Sequence, residues 1–201
     1  MSLRETALEE IRSAIAVGDL GEDRIFSAAG LAKTLGMSLS PVREAMMSLV
    51  ADGTVEAVPN RGYRLVPVDR ADLDEILRLR MLLAEPAVRS LCEERDPATL
   101  TDLRGAADEA LTAAGDEDRK TFFAADRRFH FLILSRGLGE RAASIGLRLR
   151  DQSRVAHDEE KPQQDDRDSA VQLHRLIDLV AVGDADGAVE LVDDNLRYFL
   201  T

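Results

Sequence analysis

Tryptophan is absent from this 201-residue chain, cysteine occurs once and aromatic residues make up only 4%. The single thiol, Cys92, excludes an internal disulfide, so the chain does not read as a disulfide-stapled secreted domain. Few aromatics, abundant Ala and Leu and a hydrophobic content of 45% favour packed helices over a β-sandwich. No apolar run approaches the roughly 20 residues that span a bilayer. The N-terminus scatters Arg4, Glu5, Glu9 and Glu10 among its apolar residues and so lacks a signal-peptide core. The expectation is a cytoplasmic protein with no membrane partner. Positive charge is also scarce: a net charge of −12 argues against indiscriminate coating of nucleic acid. Residues 1–69 carry seven Lys/Arg against ten Asp/Glu, a net of −3, which leaves −9 for the remainder.

What is present is concentrated in residues 31–64. Gly36 supplies a permissive turn after a short helix ending at Leu35. Ser38 or Ser40 can cap the next helix, and Pro41 suits its first turn. That helix carries Val42, Ala45, Met46 and Leu49 at i, i+3, i+4, i+7, one apolar face. Its opposite face carries Ser40, Arg43, Glu44 and Met47, side chains that a core does not need. This is the pattern of a helix-turn-helix whose second helix enters a major groove. Asn60-Arg61-Gly62 then forms the tip of a wing, with Arg61 and Arg64 close to phosphates or the minor groove. Because the bulk of the chain repels DNA, attraction must come from the local cluster of Lys33, Arg43, Arg61 and Arg64.

At this point the chain resembles the GntR family of transcription regulators, in its FadR subfamily. The resemblance is carried by Leu31-Ala32, Leu35-Gly36, Ser38, Pro41-Val42-Arg43-Glu44-Ala45, Leu49, Asp52-Gly53 and Asn60-Arg61-Gly62. Ile11-Arg12, Ile15 and Gly18-Asp19-Leu20 upstream fit as well. Two departures matter. Leu39 stands where the family usually has Arg after the turn Ser, and Gly21-Glu22-Asp23 stands where it usually has Pro-Gly. An Arg lost from the reading helix removes a contact worth about 1–3 kcal/mol if bidentate to a base, so the operator sequence does not carry over from relatives.

Helical periods cover the rest. Helices are expected near 3–17, 28–35 and 39–52, with strands near 54–58 and 62–66. Breaks at Asp96-Pro97, Gly115-Asp116, Gly137–Gly139, Glu160–Pro162 and Gly183-Asp184 cut the remainder into six helices near 70–93, 98–114, 118–135, 138–158, 165–182 and 185–200. The charged stretch Asp158–Asp168 reads as a solvated loop. The expected fold is mainly α: an N-terminal winged helix-turn-helix over 1–66, a linker at 67–70, and an antiparallel six-helix bundle over 71–201 for effector binding and dimerisation. The resemblance extends into this bundle through Leu79-Arg80, Glu85, Asp126–His130, Gly183-Asp184 and Ala188.

Polar groups on apolar faces mark a candidate site in the bundle. Asp126 lies in the stripe of Phe122, Phe129 and Ile133, and His130 lies beside it one turn on. Arg80 is central among Leu73, Ile76, Leu77, Leu83, Ala84 and Ala87. Asn195 falls among Leu191, Val192 and Phe199, while Gln152 and Ser153 share a face with Ile145 and Leu149. Such groups need partners once buried. Either they satisfy one another as a structural network, or Arg80, Asp126, His130, Gln152 and Asn195 converge on an effector pocket of the kind bundle cores hold. Arg127, Arg128, Arg148 and Arg150 read as solvated or domain-facing.

Relatives that bind a divalent metal use Asp-x-x-x-His on this helix and two later histidines. Asp126 and His130 supply the first pair. Leu173 stands at the next histidine position with His174 one residue late, and Asn195 stands at the last. A zinc or nickel ion would therefore rest on Asp126, His130 and His174 at a degraded site, short of the three or four good ligands such ions prefer. Without a metal, Arg80 is the natural anchor for a carboxylate, held bidentately, and small organic acids are the effector class the resemblance suggests.

The reading is a homodimeric, non-enzymatic regulator, by family habit a repressor, that binds a palindromic operator in double-stranded DNA and responds to a small organic acid. Two alternatives stay open. One is a metal-dependent hydrolase-like helical protein working through Asp126 and His130. The other is an interaction module that has lost DNA binding.

Overall fold

The computed structural model describes residues 2–21, 24–155 and 163–197. Among them, helices α1 (Leu3–Ala16), α2 (Ala28–Thr34) and α3 (Leu39–Ala51) precede a hairpin of β1 (Val55–Val58) and β2 (Gly62–Leu65). Six helices follow: α4 (Arg70–Glu94), α5 (Pro97–Gly115), α6 (Arg119–Leu138), α7 (Glu140–Ser153), α8 (Gln163–Val182) and α9 (Ala185–Arg197). The fold is mainly α, with a winged helix-turn-helix ahead of a helical bundle. No described helix is long and apolar enough to cross a membrane.

Two compact units emerge. Residues up to 73, with 151–155, form the first; residues 74–150, with 163–197, form the second. In the first unit, Ser2 and Glu5 form a reciprocal capping box that starts α1. Ser27 accepts from the Gly30 N–H to start α2. Gly36, at φ +63°, makes the turn into α3. Ala7, Ile11 and Ile15 of α1 close on Leu31 and Ala32 of α2 and on Val42, Ala45, Met46 and Leu49 of α3. Val55, Leu65 and Val155 complete this core. Ser38 occupies the N-cap of α3 without a side-chain capping bond.

The hairpin pairs Val55 with Leu65 and Val58 with Gly62. Its tip is a tight turn: the Arg61 N–H donates to the Val58 carbonyl at 3.0 Å, and Asn60 takes φ +58°. Pro59 followed by a left-handed Asn60 fits a type II turn. Phe26 adds a bridge on the outer edge, with its N–H donating to Tyr63 O at 2.8 Å and its carbonyl accepting from the Tyr63 N–H at 2.9 Å.

In the second unit Ala106, Ala107, Ala110 and Ala113 give α5 a face without bulk, so α6 and α8 pack closely on it. Phe122, Phe129, Leu173, Leu176 and Ile177 fill the space between. Asp96 caps α5 through the Thr99 N–H, with Pro97 at the first helical position. Asp118 caps α6 through the Thr121 N–H.

Two boundaries differ from expectation. The helix expected to run to 158 ends at Ser153. There Arg154 and Val155 turn tightly, donating to Asp151 O and Gln152 O, and Val155 enters the first unit's core. Residues 151–155 thus group with the N-terminal unit rather than with the bundle. The stretch expected to be a loop to Asp168 is already helical from Gln163; its charge is compatible with helix because Asp166 is buried against Arg119, Nε to Oδ2 at 2.9 Å. The earlier part of that stretch, 158–162, and Phe199 lie outside the described residues.

Candidate functional site

The first unit offers one polar face built on α3. Burial of Val42, Ala45, Met46 and Leu49 leaves Ser40, Arg43, Glu44 and Met47 exposed on the other side. Ser40 donates to Glu44 Oε1 at 3.2 Å, one turn apart, which steadies both on the helix surface. Leu39 is also exposed. Tyr63 on β2 reaches Met47, Oη to Sδ at 4.0 Å, and so sets the wing beside this face. Lys33 is exposed at the end of α2 and Arg61 is exposed at the wing tip. Gly62 takes φ +134° there, and a Cβ on it would come within 2.3 Å of Phe26 O, so only glycine lets the wing close on Phe26. Arg64 is exposed but ion-paired: its Nε donates to Glu56 Oε1 at 2.7 Å across the hairpin.

The second unit carries a buried polar cluster. Asp126 is 0% exposed on α6. Its Oδ2 accepts from Arg150 on α7, Nε at 3.1 Å, and from Nη2 of the same guanidinium. Nη2 also donates to Phe123 O at 3.1 Å. His130, one turn along α6, places Nε2 3.4 Å from Asp126 Oδ1. Burial pushes the His130 imidazolium down in pKa; Asp126 pulls it back up, and the positive charges of Arg80 and Arg150 push it down again. The imidazole is therefore neutral near pH 7. Arg80, 5% exposed on α4, joins His130 and Arg150 around a cavity of about 20 Å³ whose apolar wall includes Ala84, Ile133 and Val192. That volume holds about one water-sized group.

The sequence places Arg150 on a solvated or domain-facing surface, whereas the folded chain leaves it 2% exposed. The signal lies on the face of Ala143, Gly146, Leu147 and Arg150, four of the buried positions of α7. On the expected face Ile145 is exposed, Leu149 and Gln152 are half-buried, and Ser153 is buried.

Three other expected site residues are engaged elsewhere. Gln152 belongs to the first unit, where its Nε2 donates to Asp52 O at 3.0 Å. Asn195 is buried on α9, but its Nδ2 donates to Ser169 Oγ at 3.1 Å and Gln172 Oε1 at 3.0 Å on α8, and it does not line the cavity. His174 sits at a helix edge with Nε2 2.8 Å from Asp108 Oδ1 on α5 and Nδ1 3.2 Å from Ala170 O. Leu173, not His174, points into the core.

These contacts decide whether a divalent ion fits. His174 is held by Asp108, so the proposed set of Asp126, His130 and His174 does not assemble. Among the described residues no group of three or more His, Cys, Asp and Glu side chains is poised around a metal position. A guanidinium already neutralises Asp126, and an added dication would face both Arg80 and Arg150. The donor set does not suit a metal.

A winged helix-turn-helix, followed by a helical bundle with a small cationic cavity, defines the architecture of a ligand-responsive regulator. Family models match both parts: the one for bacterial regulatory proteins of the gntR family over residues 3–65, and the FCD domain over residues 75–198. The chain belongs to the GntR family, among its members that carry an FCD domain, a family of transcription regulators rather than of enzymes. It is 35% identical over 106 residues to the HTH-type transcriptional regulator YdhC of Bacillus subtilis, a stretch covering 52% of this chain and 47% of that protein. It is 28% identical over 136 residues to the HTH-type transcriptional regulator McbR of Escherichia coli, covering 68% of this chain and 62% of that protein. The chain thus spans about half to two thirds of the length of these relatives. The solved structure of E. coli McbR/YncC superposes with a TM-score of 0.82 at 23% identity, covering 100% of this chain and 96% of that one, which shows the shared fold.

Proposed function

We propose that this chain is a cytoplasmic transcription regulator that binds a palindromic operator as a homodimer and is controlled by a small organic acid held in the cavity of its second unit. The observation that carries the reading is the exposed face of Ser40, Arg43, Glu44 and Met47 on α3, opposite a fully buried apolar face. Any surface helix has a polar outer face; here that face lies beside the wing through Tyr63 and Met47, with Lys33, Arg43 and Arg61 all exposed, which is what a helix laid in a major groove requires. Arg43 is the candidate for a guanine edge, and exposed Leu39 suits a thymine methyl. Arg61 and Lys33 would contact phosphates, with Gly62 fixing the wing and Arg64 released from Glu56 on docking. Two copies double the contacts that a chain of net charge −12 needs.

Arg80 would anchor the effector carboxylate beside His130. The effector acts by linkage: it favours the state of the dimer in which it binds better, and DNA affinity shifts accordingly. Repression is the expected role by family habit.

The test is fluorescence anisotropy of labelled fragments from the gene's own upstream region, at several salt concentrations. Saturable binding that weakens steeply with salt, at two chains per fragment, supports the reading. Absence of binding to every fragment would sink it and leave a regulator-like fold kept for protein interaction.

A further inference from the structure

The cluster of Asp126 and His130 with Arg150 bears on what the cavity binds. We propose that Arg150 is the resident cation of this site: it does for Asp126 what a divalent ion would do, and leaves a metal-free pocket in which Arg80, Arg150 and His130 receive a carboxylate directly. The proposal rests on the reading of the cavity as the effector site.

Three observations support it. First, the ion pair is built rather than incidental. Both side chains are buried, two nitrogens of one guanidinium meet one carboxylate oxygen, and Nη2 is further held by Phe123 O. A planar guanidinium is fixed in this way where a lysine would not be. Second, the charges around the cavity favour an anion. Arg80, Arg150 and His130 are the polar side chains of its lining, against a wall of Ala84, Ile133, Leu134, Val192 and Leu196. A carboxylate suits two guanidinium groups; a dication would meet both of them in a setting that screens poorly. Third, position 173 is leucine, fully buried in the core, while His174 is turned to Asp108. The ligands a metal would need on α8 are spent, and the cation comes from α7.

The cavity as it stands, about 20 Å³, admits about one water-sized group. An acid must therefore part the apolar wall to enter, which favours short acids over long acyl chains. Asp126 on this reading clamps Arg150 and does not touch the effector.

The experiment uses the full chain, dialysed against EDTA and then against metal-free buffer. Native mass spectrometry reads bound metal, and thermal melts read stabilisation by zinc, by nickel, and by acetate, lactate and succinate in turn. Expected are a metal-free chain, a melting temperature that zinc, nickel and EDTA leave unchanged, and a saturable rise with at least one carboxylate. Arg150→Ala should lose the carboxylate response without gaining stabilisation by zinc or nickel, because Asp126 and His130 alone fall short of the three or four ligands such ions need. Because that variant leaves a buried carboxylate without its cation, the double change Asp126→Asn with Arg150→Met supplies a neutral pair of similar bulk. It should fold, ignore metal and bind the carboxylate roughly 10- to 100-fold more weakly, as the loss of charge-assisted hydrogen bonds dictates. One zinc or nickel per wild-type chain, lost in His130→Gln, or a carboxylate response only when metal is present, overturns the proposal while the effector reading stands. No response to any carboxylate with or without metal overturns the effector reading and this inference with it.

Discussion

The Gln152 side-chain amide donates to the Asp52 carbonyl at 3.0 Å, although the two residues are 100 positions apart in the chain. Asp52 is the C-cap of α3, and its carbonyl is one that the helix cannot satisfy from within. Arg12 adds to the arrangement, with Nη2 3.2 Å from Asp52 Oδ2 and Nε 3.0 Å from Asp151 Oδ2. The end of the proposed reading helix is thereby fastened to residues 151 and 152, which belong to the same compact unit.

Gln152→Ala should therefore loosen the last turn of α3 and leave carboxylate binding unchanged. A neutral hydrogen bond of this kind contributes about 0.5–1.5 kcal/mol. Amide hydrogen exchange over residues 46–54 reads the loss locally, which matters in a chain of two units where one global unfolding energy is ill defined. Unchanged exchange there, with weakened carboxylate binding, would return Gln152 to the cavity.

How much of this was legible in the sequence depended on the chemistry of each face. On α3 the buried side is apolar throughout and the exposed side is mainly polar, with Leu39 and Met47 as its large apolar members, so the period alone identified them. The same held for Asp126 and Arg80, single charges within otherwise apolar stripes. On α7 it failed, because the inward face includes Gly146 and Arg150. Glycine adds no hydrophobic signal, and its lack of a side chain is itself what lets α6 approach: a Cβ at Gly146 would fall 2.3 Å from Leu134 Cδ1. A charge at position 150 then made the outer face look like the inner one. Asn195 and His174 failed differently. Their burial or edge position was readable, but the partners that occupy them, Ser169, Gln172 and Asp108, come from other helices that no periodicity connects.

His130 predicts how stability varies with acidity. Burial lowers its folded pKa below the usual value near 6.5. The unfolded chain therefore takes up a proton before the folded one does, and stability is lost as pH falls from about 6.5 toward the folded pKa. The slope approaches about 1.4 kcal/mol per pH unit over that window. Denaturant melts between pH 7.5 and 5, with far-UV signal weighted to the bundle, should show this slope in the wild type and a smaller one in His130→Gln. Equal slopes would mean that His130 is protonated without penalty.

Glycine substitutions should separate strain from collision. Gly36 has left-handed φ but nothing within 4 Å of an added Cβ, so Gly36→Ala should cost only the left-handed backbone penalty of about 1–2 kcal/mol. Gly137→Ala would place its Cβ 2.4 Å from Ala87 O, a backbone atom that cannot swing aside. It should cost more than Gly36→Ala, by the 1–3 kcal/mol typical of overpacking, with α4 and α6 forced apart. Proteolytic susceptibility of each unit, followed by mass spectrometry, assigns the damage to the first unit in one variant and to the second in the other.

The pairing of Arg64 with Glu56 predicts tighter binding once the pair is broken. Both side chains are about half exposed, so the pair itself contributes little to stability, but it holds a cation that a phosphate would otherwise use. Glu56→Gln removes the competing carboxylate and one negative charge from the wing. Operator affinity should rise, and the slope of log K against log salt should steepen by up to about 0.9 for each additional phosphate that a chain neutralises. Arg43→Ala should do the reverse and in a sequence-dependent way, costing about 1–3 kcal/mol per half-site when the operator keeps its guanine and less when that base is changed. Arg61→Ala, by contrast, should weaken all fragments alike. If Arg43→Ala lowers affinity uniformly and Arg61→Ala does so selectively, the wing is the reader and α3 only the anchor. The two arginines then exchange roles without any change to the fold, because neither is part of the core that Val42, Ala45, Met46 and Leu49 build.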